Sequence, residues 1–499
     1  FVSAWDAETG KKLWKFFLTP NPQGKPDGEA SDPIMAMVSK TWSDGMWKQL
    51  GGGANPWDSI GYDPKLNLVY VGTGNGAPLS WHHRSGSKGD NLFVCSIVAL
   101  EATTGKYKWH YQMVPEEDWD YTCTQSIITA DLKIKGKMRQ VLMQAPKNGF
   151  FYVLDRKTGE YLSAGKIAPV NWAKGIDPKT GRPQINPQEH YGTDPALVMP
   201  GPGGAHNWFP MGYSPRTKLA YLPIYESGMV YAVDPAFVPK PFRSNPGWGG
   251  YTGEAAKKRT ELMKVATAMD KAFLLAWDPV AQKPAWKIEM PRHGNGGVMI
   301  TGSDLVFEGT TDQMLSAFDA RNGNRLWQFP IQSAPVGGVI TYMLDGVQYV
   351  AVNAGWGGGA AQVEPGLDRE LPRASARLIV FKLGGNLQLP PMKAEEKVPE
   401  PPRSTASEEM IAKGATLFAQ TCQICHGQQA VGGIKDLRKM TADTHAKFND
   451  IVLKGIYQDK GMASFADLLK PEDVEAIHAY VISRAYEDWG QKSDGTGPH

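Results

Sequence analysis

The chain has 499 residues, of which 41% are hydrophobic and 21% charged, and its 53 basic and 51 acidic side chains give a formal net charge of +2. This balance argues against binding of nucleic acid, because no excess of positive charge is available to neutralise phosphates. No run approaches the ~18 consecutive apolar residues typical of a membrane-spanning helix, and 55 glycines, 37 prolines and 16 tryptophans favour many short strands over a helical bundle.

A short repeat recurs from the first residues onward. Each copy has an apolar strand that ends in an acidic residue and a turn that usually contains glycine, and in most copies a second strand carries tryptophan, in several of them four residues after the glycine. The glycine supplies the positive φ that such a hairpin needs. The copies are centred on Asp6, Glu101, Asp155, Asp234, Asp278 and Asp319, and the copy at Asp234 is degenerate.

The spacing of the later copies indicates the fold. Asp234, Asp278 and Asp319 are 44 and 41 residues apart, which is the length of one four-stranded propeller blade. Gly10 and Gly105 are 95 residues apart, which predicts inserted loops, where functional residues are often found. Since only six copies are visible, we expect a propeller that is incomplete at its N-terminus, in a processed or truncated chain. The tryptophans expected to dock blade on blade are Trp14, Trp109, Trp286 and Trp327.

The composition changes abruptly at residues 384–406, where prolines and charges replace apolar residues, as in an extended linker. Beyond it the apolar periodicity becomes helical. We therefore predict a mainly β propeller domain over 1–383, the linker, a small all-α domain over 407–490 and a flexible tail over 491–499.

The motif Cys422-Gln423-Ile424-Cys425-His426 is typical of c-type haem attachment, in which two thiols bind the haem vinyl groups and the histidine binds iron. A zinc site would need a second ligand pair at the usual spacing, and a thioredoxin-type site would need a βαβ context. Met462, which precedes the last helix, is the expected sixth iron ligand, and Met440 is expected at the surface.

Residues 408–487 resemble class I c-type cytochromes. The expected contacts between the first and last helices involve Gly414, Phe418 and Tyr480, while His445 and His478 are expected to be solvated or to pack. A Met/His ligand pair raises the reduction potential, so this haem would accept electrons from another group. Covalent haem attachment also implies a periplasmic location.

Five segments of the first domain go beyond what the repeat requires, namely Gly51–Trp57, Gly72–Gly76, Glu116–Tyr121, Ala145–Gly149 and Gly203–Trp208. Taken alone, the second of these segments would be a hairpin turn and the third a solvated acidic loop. Together with the repeat and the fused cytochrome, the five segments resemble those of the quinohaemoprotein alcohol dehydrogenases, which bind pyrroloquinoline quinone (PQQ) on an eight-bladed propeller.

This resemblance implies specific roles for three residues. Trp57 would form the aromatic floor under the planar quinone. Asn75 would give an oxygen ligand to Ca²⁺, a hard cation that prefers oxygen donors. Asp120 would be a further calcium ligand and the catalytic base that accepts the hydroxyl proton of the alcohol.

The resemblance also implies partners for the reduced quinone. Lys147 would hydrogen-bond its oxygens, whereas Asn207 and Trp208 would supply a polar contact and a pocket wall. Lanthanide-using relatives carry an extra Asp two residues after the base. Thr122 occupies that position here, so calcium is expected.

Several features of the family are expected upstream of Phe1, namely a disulfide between adjacent cysteines, an Arg near the PQQ carboxylates and a Glu metal ligand. Cys95 and Cys123 lie 28 residues apart and cannot form such a vicinal pair. They are expected to be buried free thiols.

The sequence therefore predicts a periplasmic enzyme that oxidises alcohols with PQQ, calcium and haem c and delivers electrons to a soluble cytochrome c or cupredoxin. Two alternatives stay open at this stage. One is a PQQ-dependent sugar or polyol dehydrogenase, and the other is a cytochrome-fused propeller scaffold without quinone.

Overall fold

Antiparallel strands dominate the chain up to residue 382. The computed structural model describes residues 1–239, 245–291, 295–356, 376–392, 397–432 and 434–491. Numbered along the chain, the strands are β1 Val2–Trp5, β2 Lys12–Phe16, β3 Gly52–Gly53, β4 Ile60–Asp63, β5 Leu68–Gly72, β6 Gly76–Ala77, β7 Ser96–Glu101, β8 Tyr107–Gln112, β9 Ile128–Ile134, β10 Lys137–Gln144, β11 Phe150–Asp155, β12 Tyr161–Lys166, β13 Ala173–Ile176, β14 Pro183–Ile185, β15 Ala196–Val198, β16 Gly212–Ser214, β17 Leu219–Glu226, β18 Met229–Tyr231, β19 Lys271–Asp278, β20 Lys283–Met290, β21 Asn295–Ile300, β22 Leu305–Thr310, β23 Met314–Asp319, β24 Arg325–Pro330, β25 Ile340–Leu344, β26 Val347–Ala354 and β27 Arg377–Lys382.

Four of the sheets have four strands each, as propeller blades do. Their spatial orders are β4-β5-β7-β8, β12-β11-β10-β9, β16-β17-β19-β20 and β21-β22-β23-β24, while β25-β26-β27 form a three-stranded sheet and β1-β2, β3-β6, β13-β14 and β15-β18 form pairs. Inner strands such as β7 and β11 are rich in Val, Ile, Phe and Leu and are buried over almost their whole length, because both of their faces lie against neighbouring structure. The predicted mainly β propeller is confirmed.

The repeat forms the hairpin between the last two strands of a blade. At Asp155 the carboxylate accepts hydrogen bonds from the backbone N–H groups of Lys157 and Thr158, and the Asp155 carbonyl accepts one from Gly159. Gly159 has a φ of +76°, which explains why the turn requires glycine. Asp6 and Asp319 begin turns of the same kind.

The tryptophans of the repeat dock on the turn glycines of the next copy. A Cβ built on Gly105 would lie 2.6 Å from the indole of Trp14, one on Gly159 would lie 2.5 Å from Trp109, and one on Gly323 would lie 2.9 Å from Trp286. The docking prediction is thus confirmed for these three tryptophans. For Trp327, which is 38% exposed and lies beside the rings of Phe307 and Phe329 in its own sheet, docking stays a prediction, because residues 357–375 between β26 and β27 lie outside the described residues.

The degenerate copy at Asp234 does not form a blade of its own. Strand β17 pairs directly with β19, and the residues between them are an insertion that contains β18 and the helix Gly253–Ala268. Asp234 is followed by proline instead of a Thr-Gly turn, and its carboxylate accepts a hydrogen bond from the N–H of Ala236. The spacing from 234 to 278 was therefore not a blade length. A true turn of the repeat occurs at Asp177, whose carbonyl accepts a hydrogen bond from Gly181.

Contacts divide the chain into two compact units. The first contains Phe1–Thr310, Leu315–Phe329 and Gly338–Tyr342, and the second contains the remaining residues, including Met343–His499.

Helices are short in the blades and longer at the C-terminus. The α-helices are α1 Asp32–Ser39, α2 Trp47–Leu50, α3 Trp81–Ser85, α4 Gly253–Ala268, α5 Glu408–Thr421, α6 Gln423–His426, α7 Ala442–Ala446 and α8 Pro471–Gln491, with single-turn 3₁₀ or π segments at Pro187–Glu189, Gln428–Ala430, Leu437–Lys439, Asp450–Lys454 and Gln458–Lys460.

The first and last helices of the C-terminal region cross at a glycine. A Cβ on Gly414 of α5 would lie 1.9 Å from the carbonyl oxygen of Ala476 and 2.9 Å from Cβ of Tyr480 on α8. Phe418 packs on Tyr480 with a ring-centroid distance of 5.4 Å. The predicted helix-crossing contacts are thereby confirmed.

Candidate active site

The acidic segment after β8 is buried, although its composition alone suggests a solvated loop. Asp120 lies in it with a φ of +66°, and its Oδ2 is 3.3 Å from Nζ of Lys147. The same ammonium group donates a hydrogen bond of 3.1 Å to the Asp120 carbonyl. Burial raises the pKa of Asp120, and the charge of Lys147 opposes that rise. The structure thus pairs the predicted base with the predicted cationic residue.

Lys147 is held from its other side by the segment at residues 203–208. Its carbonyl accepts a hydrogen bond from the N–H of Ala205, and a Cβ on Gly204 would lie 2.5 Å from Cγ of Lys147. Only glycine therefore fits at 204 without moving the lysine. Both polar groups of the Asn207 side chain bond within this segment, to the Gly203 carbonyl and the N–H of Trp208.

Trp208 lies against Phe209 with a ring-centroid distance of 4.3 Å. The structure therefore brings the 203–208 backbone to Lys147, whereas the contacts of the Asn207 and Trp208 side chains are local. Their roles toward a cofactor stay predictions.

Trp57 lies beside Gly74, the residue before Asn75 in the loop between β5 and β6. A Cβ on Gly74 would lie 3.4 Å from Nε1 of Trp57, and the Asn75 carbonyl accepts a hydrogen bond of 2.8 Å from Ala54. The Asn75 amide donates to the Gly76 carbonyl, and within the described residues its Oδ1 accepts no hydrogen bond. Trp57 is 48% exposed. This loop thus carries an unused amide oxygen next to a residue that approaches a half-exposed indole.

Glu117, which the sequence analysis did not single out, links the Asn75 and Asp120 segments. Its Oε1 accepts hydrogen bonds of 2.8 Å from the N–H groups of both Trp119 and Tyr121, and its Oε2 accepts one of 3.1 Å from Gly76. The side chain is completely buried. Burial raises the pKa of Glu117 to about 7, although Arg84 lowers it.

Two other carboxylates of the segment bind His190, a second residue that was not predicted. Nδ1 of His190 is 3.3 Å from Asp118, and Nε2 is 3.2 Å from Glu116. The imidazole lies between the indoles of Trp81 and Trp119 at centroid distances of 4.7 and 4.8 Å. Although burial lowers the pKa of His190, the hydrogen bonds to the two carboxylates raise it to about 9.

Cys95 and Cys123 form a disulfide, so the prediction of free thiols is wrong. The N–H of Cys123 bonds to the Thr73 carbonyl and the N–H of Cys95 bonds to the Gly74 carbonyl. The two residues that follow β5 therefore hold both cysteines, whose Cα atoms are 4.7 Å apart despite a sequence separation of 28. Both side chains are buried, and the bond ties the Asp120 segment to the residue before β7, which is itself hydrogen-bonded to Gly74.

These residues fit a planar quinone with a hard cation. Trp57 offers a half-exposed indole, Asn75 and Asp120 offer oxygen atoms, and Lys147 offers a hydrogen-bond donor beside Asp120. Within the described part of the chain, no group of three or more His, Cys, Asp or Glu side chains could hold a metal ion. Asn75 and Asp120 would thus provide part of the six to eight oxygen ligands that calcium usually takes.

The C-terminal motif has the geometry of a haem-binding segment. Cys422, Cys425 and His426 lie at the junction of α5 and α6, and among the described residues neither cysteine is part of a disulfide. Nδ1 of His426 lies 3.1 Å from the Lys435 carbonyl. Because a carbonyl only accepts, Nδ1 carries the proton, so Nε2 has the lone pair that the predicted iron ligand would need. Burial lowers the pKa of His426 and so favours the neutral ring that iron binds.

Both candidate methionines contact the core of this region. Met462 is half-buried against it, as a ligand facing a haem would be, and Met440 is buried. The expectation that Met440 lies at the surface is therefore wrong, because the turn at Leu437–Lys439 directs it inward. His445 and His478 pack together, with a ring nitrogen contact of 2.9 Å, and His478 stacks on Phe448.

Comparison with known proteins agrees with this arrangement. Residues 1–184 and 233–350 match the model of the glucose/ethanol/alcohol dehydrogenase beta-propeller domain (PQQ), and residues 409–481 match that of cytochrome C oxidase, cbb3-type, subunit III. The chain is 45% identical to quinohemoprotein alcohol dehydrogenase ADH IIB of Pseudomonas putida over 98% of its own length and 70% of that protein. It belongs to the quinohaemoprotein alcohol dehydrogenase family.

Solved structures of quinohaemoprotein alcohol dehydrogenases share the fold. The ADHIIG structure from Pseudomonas putida HK5 matches with a TM-score of 0.86 at 42% identity, over 99% of this chain and 72% of that one. The enzyme from Comamonas testosteroni matches with a TM-score of 0.79 at 38% identity, over 97% and 71%. A europium-containing methanol dehydrogenase matches with a TM-score of 0.62 at 30% identity, over 76% and 69%.

Membership of the quinohaemoprotein alcohol dehydrogenase family confirms the predicted enzyme class, PQQ-dependent alcohol oxidoreductases, with PQQ and haem c as cofactors. In the described ranges, no helix is long and apolar enough to cross a membrane.

Proposed function

We propose that this chain oxidises alcohols to aldehydes or ketones at the Asp120 site and delivers the electrons through its haem to a soluble periplasmic acceptor, a cytochrome c or a cupredoxin. Bound PQQ would supply the acceptor for the hydride of the alcohol carbon, and bound calcium would supply a Lewis acid for the quinone carbonyl. The observation that carries the proposal is the contact between Asp120 and Lys147 beside the segment that contains Asn75.

Asp120 would accept the hydroxyl proton of the alcohol at a carboxylate oxygen. Lys147 prepares it for this role, because the ammonium charge favours the ionised carboxylate within a buried segment. The same lysine holds the Asp120 carbonyl and would donate a hydrogen bond to the quinone oxygens. Trp57 would support the ring, Asn75 would bind calcium together with Asp120, and Asn207 and Trp208 would line the pocket.

Calcium is the proposed metal because Thr122 offers no additional carboxylate. Its hydroxyl is buried and accepts hydrogen bonds from Thr124 and Gln125. A lanthanide site is expected to use more negative charge than Asn75 and Asp120 provide.

In the C-terminal domain, Cys422 and Cys425 would hold the haem, and His426 and Met462 would bind the iron. A haem with these ligands takes one electron at a time. The proposed domain limits remain 1–383, 384–406, 407–490 and 491–499.

Absorbance spectroscopy tests the proposal. Addition of a primary alcohol to the anaerobic haem-containing protein with PQQ and Ca²⁺ should reduce the haem, and omission of PQQ should abolish the reduction. Haem that stays oxidised with every alcohol would favour the scaffold, whereas reduction by sugars or polyols but not by simple alcohols would favour the sugar or polyol dehydrogenase.

A further inference from the structure

We propose that Glu117 is a positioning residue, which holds the segments of Asn75 and Asp120 at a fixed separation so that both can serve one site. The inference rests on the proposed function and deepens it. Glu117 touches neither candidate ligand through its side chain, and it acts through the backbone on both sides of the site.

On one side, a single carboxylate oxygen fixes the conformation of Asp120. Oε1 of Glu117 accepts hydrogen bonds from the N–H groups of Trp119 and Tyr121, the two neighbours of Asp120 in the chain. The backbone wraps around this oxygen, and Asp120 adopts its positive φ. A non-glycine residue in that conformation is held there by its surroundings.

On the other side, Oε2 of Glu117 accepts the N–H of Gly76, the residue directly after Asn75. Arg84 reinforces this connection. Its Nη1 donates to the carbonyls of Pro78 and Leu79, its Nη2 donates to the Glu117 carbonyl, and Nη1 is 4.0 Å from Oε2. Arg84 and Glu117 are both completely buried, so the two segments are joined through a charged pair shielded from water.

The arrangement requires a carboxylate. Three N–H groups point at two oxygens, and a carboxylate only accepts. In the variant E117Q, an amide oxygen can retain Trp119 and Tyr121, but its NH₂ group then faces the N–H of Gly76 and the guanidinium of Arg84. Two hydrogen-bond donors would then face each other with no acceptor between them. We therefore expect the segment of Asn75 to separate from residue 117, although the side-chain volume stays the same.

Glu116 provides a matched control. E116Q makes the same chemical change one residue earlier, at a side chain whose described contact is His190. Hydrogen–deuterium exchange of the metal-free protein should show faster exchange in residues 74–77 for E117Q and wild-type exchange there for E116Q. Wild-type exchange in both variants would overturn the proposal.

Calcium affinity then tests the consequence. PQQ-loaded protein is titrated with a chelator, and calcium binding is followed by the quinone absorbance. E117Q should bind Ca²⁺ ~10–100-fold more weakly than E116Q, because loss of a residue that holds metal ligands in place typically weakens metal binding by that factor. Equal affinities would overturn the inference even if exchange is faster in E117Q.

A wild-type chain that binds no calcium would instead refute the proposed function. The exchange comparison would still test whether Glu117 links the segments of Asn75 and Asp120. If E117Q lowers the melting temperature of the whole chain, E117D, which keeps the charge but is shorter, replaces it in both comparisons.

Discussion

The indole of Trp109 lies so close to Gly159 that a Cβ on the glycine would be 2.5 Å from Cε3. This contact joins the hairpin of one blade to the turn of the next. These blades are therefore held together through two residues of the repeat, its tryptophan and its glycine.

Replacement of Gly159 by alanine should destabilise the propeller more than the same change at Gly136. Both glycines have positive φ, but a Cβ on Gly136 would meet nothing within 4 Å. G136A should thus cost about 1–2 kcal/mol of backbone strain, and G159A about 1–3 kcal/mol more because Trp109 must move. Thermal unfolding of the two variants would measure the difference, and equal losses of Tm would contradict the docking role of Trp109.

The blades could be predicted because their signal is local. Each hairpin of the repeat lies within about ten residues, so the Asp, the Gly and the Trp appear together in the sequence. The copy at Asp234 was misassigned because an acidic residue after an apolar run also begins turns outside blades. Only the pairing of β17 with β19 across the insertion reveals this, and that pairing joins residues far apart in the chain.

Loss of the disulfide should destabilise the first unit. Substitution of both cysteines in C95S/C123S opens a loop of 28 residues, and an unfolding free energy lower by about 2–4 kcal/mol is expected. Chemical denaturation followed by tryptophan fluorescence would measure it. A thiol assay on the denatured, unreduced haem protein should detect no free cysteine, whereas two thiols per chain would contradict the bond.

His190 should make stability depend on pH. The pKa of His190 is raised in the folded protein to about 9. The stabilisation of the fold by protonated His190 is therefore complete below the ordinary histidine pKa of about 6.5 and is lost as the pH rises through 9. The Tm of the wild type should therefore fall between pH 7 and 10 relative to that of the variant H190Q. Parallel pH curves for the two proteins would argue against a protonated His190.

Substitution of Asp120 should abolish most of the activity. D120N leaves the amide near Lys147 but cannot accept the alcohol proton, so the rate of haem reduction by alcohol should fall ~10²–10⁴-fold. E116Q, which changes a carboxylate outside the proposed machinery, should stay near the wild-type rate. Stopped-flow absorbance in a single turnover would compare them, and a D120N variant as fast as E116Q would exclude Asp120 as the base.

Substitution of the two methionines should separate the haem ligand from a core residue. M462L should remove the charge-transfer band of methionine-ligated ferric haem and lower the reduction potential. M440L conserves apolar volume at a buried position, so it should leave both properties unchanged and affect stability slightly. If M440L rather than M462L removes the band, the assignment is reversed.

The candidate site could be predicted only in part. Asp120 and Lys147 belong to recognisable segments, and the structure brings them together. Glu117 lay inside the same acidic segment, but nothing in the sequence shows that Gly76 donates to it. His190 is separated from Asp118 by 72 residues, and the two cysteines meet only because both bond to the two residues that follow β5. Contacts made through long loops leave no periodic trace in the sequence.

The fit of Gly76 against Arg84 has an evolutionary consequence. A Cβ at position 76 would lie 2.2 Å from Nη1 of the buried guanidinium, so a side chain at 76 is excluded as long as Arg84 is present. Among natural homologues, a side chain at 76 should be accompanied by a smaller residue at 84, and an engineered library that randomises position 76 alone should return glycine.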